Sequence, residues 1–172
     1  MNLSDFTLEE EIFIDSNIFC YHFDSNSENQ QTCSEFLKRV ERKEIDGIIS
    51  DIVIDEVVYV LLIQKGSELL ATDKIKRIKK AIKEDKTIAN KCYEMAYNFY
   101  DYLEILRLAG LKIIEVDFDI AKSSLDIGKQ ECLLPHDAVN VTLCKTFGIK
   151  NMATTDTDLE KIDFLRIWSP QK

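Results

Sequence analysis

Five short apolar runs, separated by segments of helical periodicity, constrain this chain more than any other feature. They are Ile12-Phe13-Ile14, Gly47-Ile48-Ile49-Ser50, Lys112-Ile113-Ile114-Glu115-Val116, Asn151-Met152-Ala153-Thr154 and Phe164-Leu165-Arg166-Ile167-Trp168. Short apolar strands alternating with helices are the pattern of a parallel sheet covered on both faces. Helices are expected from Ser16 to about Phe23, over Glu28–Glu44 and over Ile52–Gln64, the last stopped by Gly66. Two more fall within residues 67–110, the second from about Ile88 to Leu108. Another covers Phe118–Gln130, and the last starts near Asp137 and ends at Gly148. The fold class is therefore α/β, a three-layer α/β/α arrangement with a central, mostly parallel sheet of about five strands. At 172 residues the chain suits a single domain.

Composition narrows the function. Hydrophobic residues make up 45% of the chain, enough for a core, and only five Gly and two Pro argue against a turn-rich sandwich. The formal charge of −9 is the wrong sign for a protein that grips duplex DNA through its whole surface, although a local basic strip or bound cations can override a total. Cys20, Cys33, Cys92, Cys132 and Cys144 contain no CxxC pair and read as reduced thiols of a cytoplasmic protein. With only His22 and His136, the sequence argues against a His-rich zinc site. Residues 1–11 carry no signal-peptide pattern, and no apolar stretch suits a membrane span, so no membrane partner is expected.

The informative residues are acids beside apolar sequence. In an open parallel sheet, ligands bind outside the carboxyl ends of the strands. Asp15 follows the first strand and Asp156 the fourth, whereas Asp137 stands at a helix start, where the dipole alone would favour a carboxylate. Glu56 lies within a helix among Ile54, Val57, Val58 and Val60, where a charge is seldom found without a partner. If these acids converge, two carboxylates about 5 Å apart repel by roughly 3 kcal/mol at an effective dielectric near 20. Four such groups need protons or a cation, and an all-oxygen set selects Mg²⁺ or Mn²⁺. Such ions activate water and neutralise charge in phosphodiester hydrolysis.

The chain resembles the PIN domain, a fold of many small ribonucleases that include VapC-type toxins of toxin–antitoxin pairs. The matching segments are Phe13-Ile14-Asp15-Ser16-Asn17, Ser50-Asp51-Ile52-Val53-Ile54-Asp55-Glu56-Val57, Leu134-Pro135-His136-Asp137-Ala138 and Ala153-Thr154-Thr155-Asp156-Thr157-Asp158-Leu159. The resemblance spans roughly residues 11–168. It implies a metal-dependent ribonuclease, by family habit an endonuclease, whose acidic pocket of Asp15, Glu56, Asp137 and Asp156 binds Mg²⁺ or Mn²⁺. Asp158 is then an auxiliary acid, able to hold metal through water, and Asn17 and Thr154 orient the carboxylates or the substrate phosphate. Leu159 stands where the family often has Phe, and Asn140, Val141 and Thr142 stand where small alanines are common. An antitoxin protein is an expected partner of such a toxin, and RNA its substrate.

Residues 1–172 are thus expected to form one PIN-like domain with a helical insertion at about 67–110. Residues 73–86 of that insertion hold seven basic residues, with Ile75, Ile78 and Ile82 on one helical face. Lys76, Arg77, Lys79, Lys80 and Lys83 are candidates for an RNA-backbone clamp, against the plainer reading of a solvated helix surface. Tyr93, Tyr97, Tyr100 and Tyr102 could stack bases but read mainly as packing residues. Val57, Val60 and Leu61 offer either a homodimer face or core. Two other functions compete. A haloacid-dehalogenase-type phosphatase also places Asp after its first strand, but its second Asp would fall at Asn17, and Glu56 has no place in that scheme. A PIN-like RNA adaptor without catalysis would normally have lost one of the acids retained here.

Overall fold

In the computed structural model, which describes residues 1–7 and 9–170, five strands alternate with seven α-helices. The chain runs β1 (Ile12–Ile14), α1 (Ser16–Phe23), α2 (Gln30–Glu41), β2 (Gly47–Ser50), α3 (Asp51–Leu70), α4 (Ile75–Glu84) and α5 (Lys86–Ala109). It continues through β3 (Lys112–Ile114), α6 (Phe118–Glu131), α7 (Pro135–Phe147), β4 (Asn151–Ala153) and β5 (Arg166–Trp168). The sheet order is β3-β2-β1-β4-β5, and every pairing is parallel. Helices α1 to α5 form one packed set and α6 with α7 another, giving three layers around the sheet.

The burial pattern explains why the strands read as apolar runs. Every residue of β1, β2 and β4 is buried, whereas the edge strands β3 and β5 are only partly covered. Ile12, Phe13 and Ile14 at the centre are fully buried, with Ile49 and Met152 on the neighbouring strands. The edge strands are shorter than the sequence suggests. β3 stops at Ile114, and Phe164 and Leu165 lie in the turn before β5.

The helix expected to stop at Gly66 instead continues to Leu70 and ends at Ala71, in left-handed conformation with φ 46°. Gly66 has a packing role. A Cβ there would lie 2.4 Å from Cγ2 of Ile78 on α4, so the missing side chain lets α4 approach α3. Ile78 is buried in that contact while Ile75, expected on the same apolar face, is half exposed. Val57 and Leu61 lie in the core, which removes them from any homodimer face and leaves Val60 only partly exposed.

Candidate active site

The strand order reverses direction between β1 and β4, the switch point at whose carboxyl ends such sheets bind ligands. Asp15 stands there directly after β1 and is held in place by both strands. Its backbone N–H donates to the Ala153 carbonyl at 3.0 Å. Its side chain caps α1, Oδ1 accepting the Ser16 N–H at 2.7 Å. Oδ2 accepts from Asn17 Nδ2 at 2.5 Å and from the Thr154 hydroxyl at 2.7 Å. Asn17 Nδ2 also donates to Thr154 Oγ1 at 2.9 Å, and its Oδ1 accepts the Thr155 N–H at 3.3 Å. Asn17 and Thr154, singled out in the sequence, thus close a ring of hydrogen bonds that ties the end of β1 to the end of β4.

The other acids arrive from separate elements. Glu56 projects from α3, whose N-terminus is fixed by Ser50: its hydroxyl accepts the Val53 N–H at 3.2 Å and donates to buried Asn140 Oδ1 at 3.0 Å. Asn140 thereby joins α7 to the start of α3, which explains a polar residue where a small one is common. Asp137 lies in the first turn of α7, behind Pro135 at the helix start. Asp156 caps the short 3-10 turn Thr157–Leu159 through the Asp158 N–H at 2.8 Å, and its own N–H donates to Thr154 Oγ1 at 3.0 Å.

These carboxylates are electrostatic neighbours. Burial pushes Asp15 up to about 6 from its ordinary 3.8, and the charges of Glu56 and Asp137 add to the rise against the hydrogen bonds from Thr154 and Ser16. Asp137 is also raised, first by burial and then by Asp156, Glu56 and Asp158, with His136 pulling the other way. Only Asp15 is deeply buried, at 7% exposure; Glu56, Asp137 and Asp156 are partly open and Asp158 is exposed. Among the described residues, no three His, Cys, Asp or Glu side chains are gathered closely enough to enclose an ion.

One residue of the site escaped the sequence reading. His136 Nδ1 lies 2.6 Å from Glu56 Oε1, so the apolar stretch of α3 carries a glutamate with a partner after all. Its signal was its place immediately before Asp137 in Leu134-Pro135-His136-Asp137-Ala138. His22, in contrast, hydrogen-bonds Ser34 at 2.9 Å and stacks on Tyr102 at 4.8 Å, a packing role.

A groove of about 620 Å³ runs from Glu56 between α3 and α5, lined by Ser16, Glu56, Tyr59, Tyr93 and His136 among others. A second, of about 550 Å³, continues it past Ile54, Val58, Tyr97 and Tyr100. Tyr93, Tyr97 and Tyr100 are exposed, which corrects their reading as packing residues; only Tyr102 of the four is largely covered. Lys79 places its ammonium 4.8 Å from the Tyr59 ring centre, bringing the basic helix α4 to the groove. Lys80 pairs with Glu84 at 3.8 Å within that helix.

An open, all-parallel sheet with acids at its switch point defines an α/β protein, and known proteins place it further. The family model for the PIN domain matches residues 12–165. Ribonuclease VapC2 of Methanocaldococcus jannaschii is 31% identical over 159 residues, covering 92% of this chain and 93% of that protein. A toxin–antitoxin complex from Klebsiella pneumoniae contains a chain that superposes with a TM-score of 0.55 at 17% identity, over 90% of this chain and 95% of its own. VapC20 of Mycobacterium tuberculosis, a toxin that cleaves the sarcin–ricin loop, superposes at 0.52 with 14% identity, over 87% of this chain and 92% of its own. The chain belongs to the PIN domain family.

Proposed function

We propose that this protein is a divalent-metal-dependent ribonuclease, an endonuclease acting as the toxin of a toxin–antitoxin pair in the cytoplasm. The observation that carries the reading is that Glu56 and Asp137 both press on the carboxyl of Asp15, and Asp156, Glu56 and Asp158 on that of Asp137. The full-length likeness to a ribonuclease supports it. Membership of the PIN family sets aside the phosphatase, and retention of all four acids disfavours an adaptor without catalysis.

An all-oxygen donor set fits Mg²⁺ or Mn²⁺ in chemistry. Each of Asp15, Glu56 and Asp156 rests on a protein partner, and no closed cage is formed among the described residues. Mg²⁺ keeps several waters and needs only one or two carboxylates, so the set suits a hydrated ion. Asp15, Glu56, Asp137 and Asp156 would hold it, Asp158 through water, and the ion would supply activated water and charge neutralisation at the phosphate. Asn17 and Thr154 keep Asp15 aimed into the crevice. Lys76, Arg77, Lys79, Lys80 and Lys83 on α4 would attract the RNA backbone, and the exposed tyrosines would receive bases. We read residues 1–172 as one domain with the insertion at 67–110. Among the described residues no helix is long and apolar enough to cross a membrane.

The test is cleavage of a randomised RNA pool by the purified chain. Mn²⁺ should support cutting, EDTA should abolish it, and Asp15→Asn should lower it at least about 100-fold. Full metal-dependent cutting by Asp15→Asn would remove Asp15 from the site.

A further inference from the structure

We propose that a polar pocket at the ends of β4 and β5 receives one nucleobase of the RNA, next to the phosphate being cut, and that Asn29 reads the edge of that base. The proposal rests on the nuclease reading above. The pocket measures about 290 Å³, near the lower end for small-ligand sites, and Thr154 and Ser169, which follow β4 and β5, are in its wall. It adjoins the acids. Asp156 lines it too, and the Thr154 hydroxyl donates to Asp15 Oδ2 at 2.7 Å. The other oxygen of Asp15 accepts the N–H of Ser16, which lines the 620 Å³ groove against α3. Asp15 thus stands between the two hollows, and an RNA strand with a phosphate at Asp15 passes from one to the other.

The lining selects a base over a second phosphate. Among the described residues no Lys or Arg lines the pocket, whereas Asp156 and Glu160 do, so an anion is repelled. Ile167 and Pro170 supply apolar surface for the face of a heterocycle. Tyr21 and Thr155 add hydroxyls 3.4 Å apart. Asn29 precedes α2 at its N-cap, yet its side chain makes no capping bond and no other hydrogen bond among the described residues. A half-buried amide with both its donor and its acceptor uncommitted suits the edge of a base, where donors and acceptors alternate.

Native protein, Asn29→Ala and Asn29→Asp are each given Mn²⁺ and a randomised RNA pool, and the cut ends are sequenced. Asp is a favoured helix cap, so Asn29→Asp keeps the fold while turning the amide donor into an acceptor. The native protein should prefer one base about 5-fold at one position adjoining the cut, the scale of one hydrogen bond. Asn29→Ala should flatten that position to within about 2-fold, and Asn29→Asp should move its preference to a base that presents a donor there. Mn²⁺ binding, followed by electron paramagnetic resonance, should stay native-like in both variants. A native protein that cuts with no base preference at either position adjoining the cut overturns the proposal. A preference that both variants keep also overturns it, and leaves the pocket to a cationic protein side chain facing Asp156 and Glu160. Weaker Mn²⁺ binding in the variants overturns it as well, since Asn29 would then act by supporting the acids. Failure of the native chain to cut any RNA refutes the nuclease reading itself, and the proposal with it.

Discussion

Asp15 should make the metal-free protein less stable as pH rises, and a single substitution isolates the effect. Burial and the nearby charges of Glu56 and Asp137 move this carboxyl from 3.8 to about 6. An acid whose folded pKa lies above its unfolded value binds its proton more tightly in the native state. Its contribution to stability is therefore full at low pH and is lost as pH rises through the window from about 4 to 6. At about 1.4 kcal/mol per unit, the loss by pH 7 is roughly 3 kcal/mol. Asp15→Asn removes this titration but turns one oxygen into an amide that faces the Asn17 donor, an unpaired contact costing about 1–3 kcal/mol. The variant should be the less stable protein at pH 4 and gain about 2 kcal/mol relative to the native chain by pH 7. Urea unfolding in EDTA across that range measures the difference. A difference independent of pH, or one moving the other way, would show that burial and the neighbouring charges do not raise the Asp15 carboxyl.

Three further substitutions test how the site is supported. Thr154→Val deletes a hydroxyl that serves Asp15, Asn17 and the Asp156 N–H, and should cost about 2–3 kcal/mol by urea unfolding. Because Thr154 lowers the Asp15 pKa, the same variant should shift the acid-side stability change to higher pH. Gly66→Ala sets a methyl 2.4 Å from the stiff Ile78 and should lower stability by about 1–2 kcal/mol despite alanine's helix propensity, as thermal unfolding would show. Tyr102→Phe removes a buried hydroxyl with no hydrogen-bond partner among the described residues and should be neutral or stabilising by about 1 kcal/mol; a loss above that would mean the hydroxyl is satisfied.

What the sequence made legible was what is encoded locally. Five apolar runs mark the strands because a doubly covered parallel sheet leaves no wet face to alternate with. The places of Asp15 and Asp156 followed from the rule that crevices open at strand ends. Contacts between distant elements were harder to read. Gly66 looks like a helix stop until Ile78 is seen against it. His136 and Glu56 are 80 residues apart, and neither announces the other. The three exposed tyrosines of α5 follow a helical spacing that fits a packed stripe equally well, and only the groove against α3 shows which side is open.

Titration of the metal-free chain with Mn²⁺, followed by electron paramagnetic resonance, bears most directly on the claim that acids from β1, α3, α7 and the end of β4 serve one cation. Saturable binding in the native protein, weakened in each of Asp15→Asn, Glu56→Gln, Asp137→Asn and Asp156→Asn, is the predicted result. Native-like binding in all four variants, or no binding by the native chain, would contradict it.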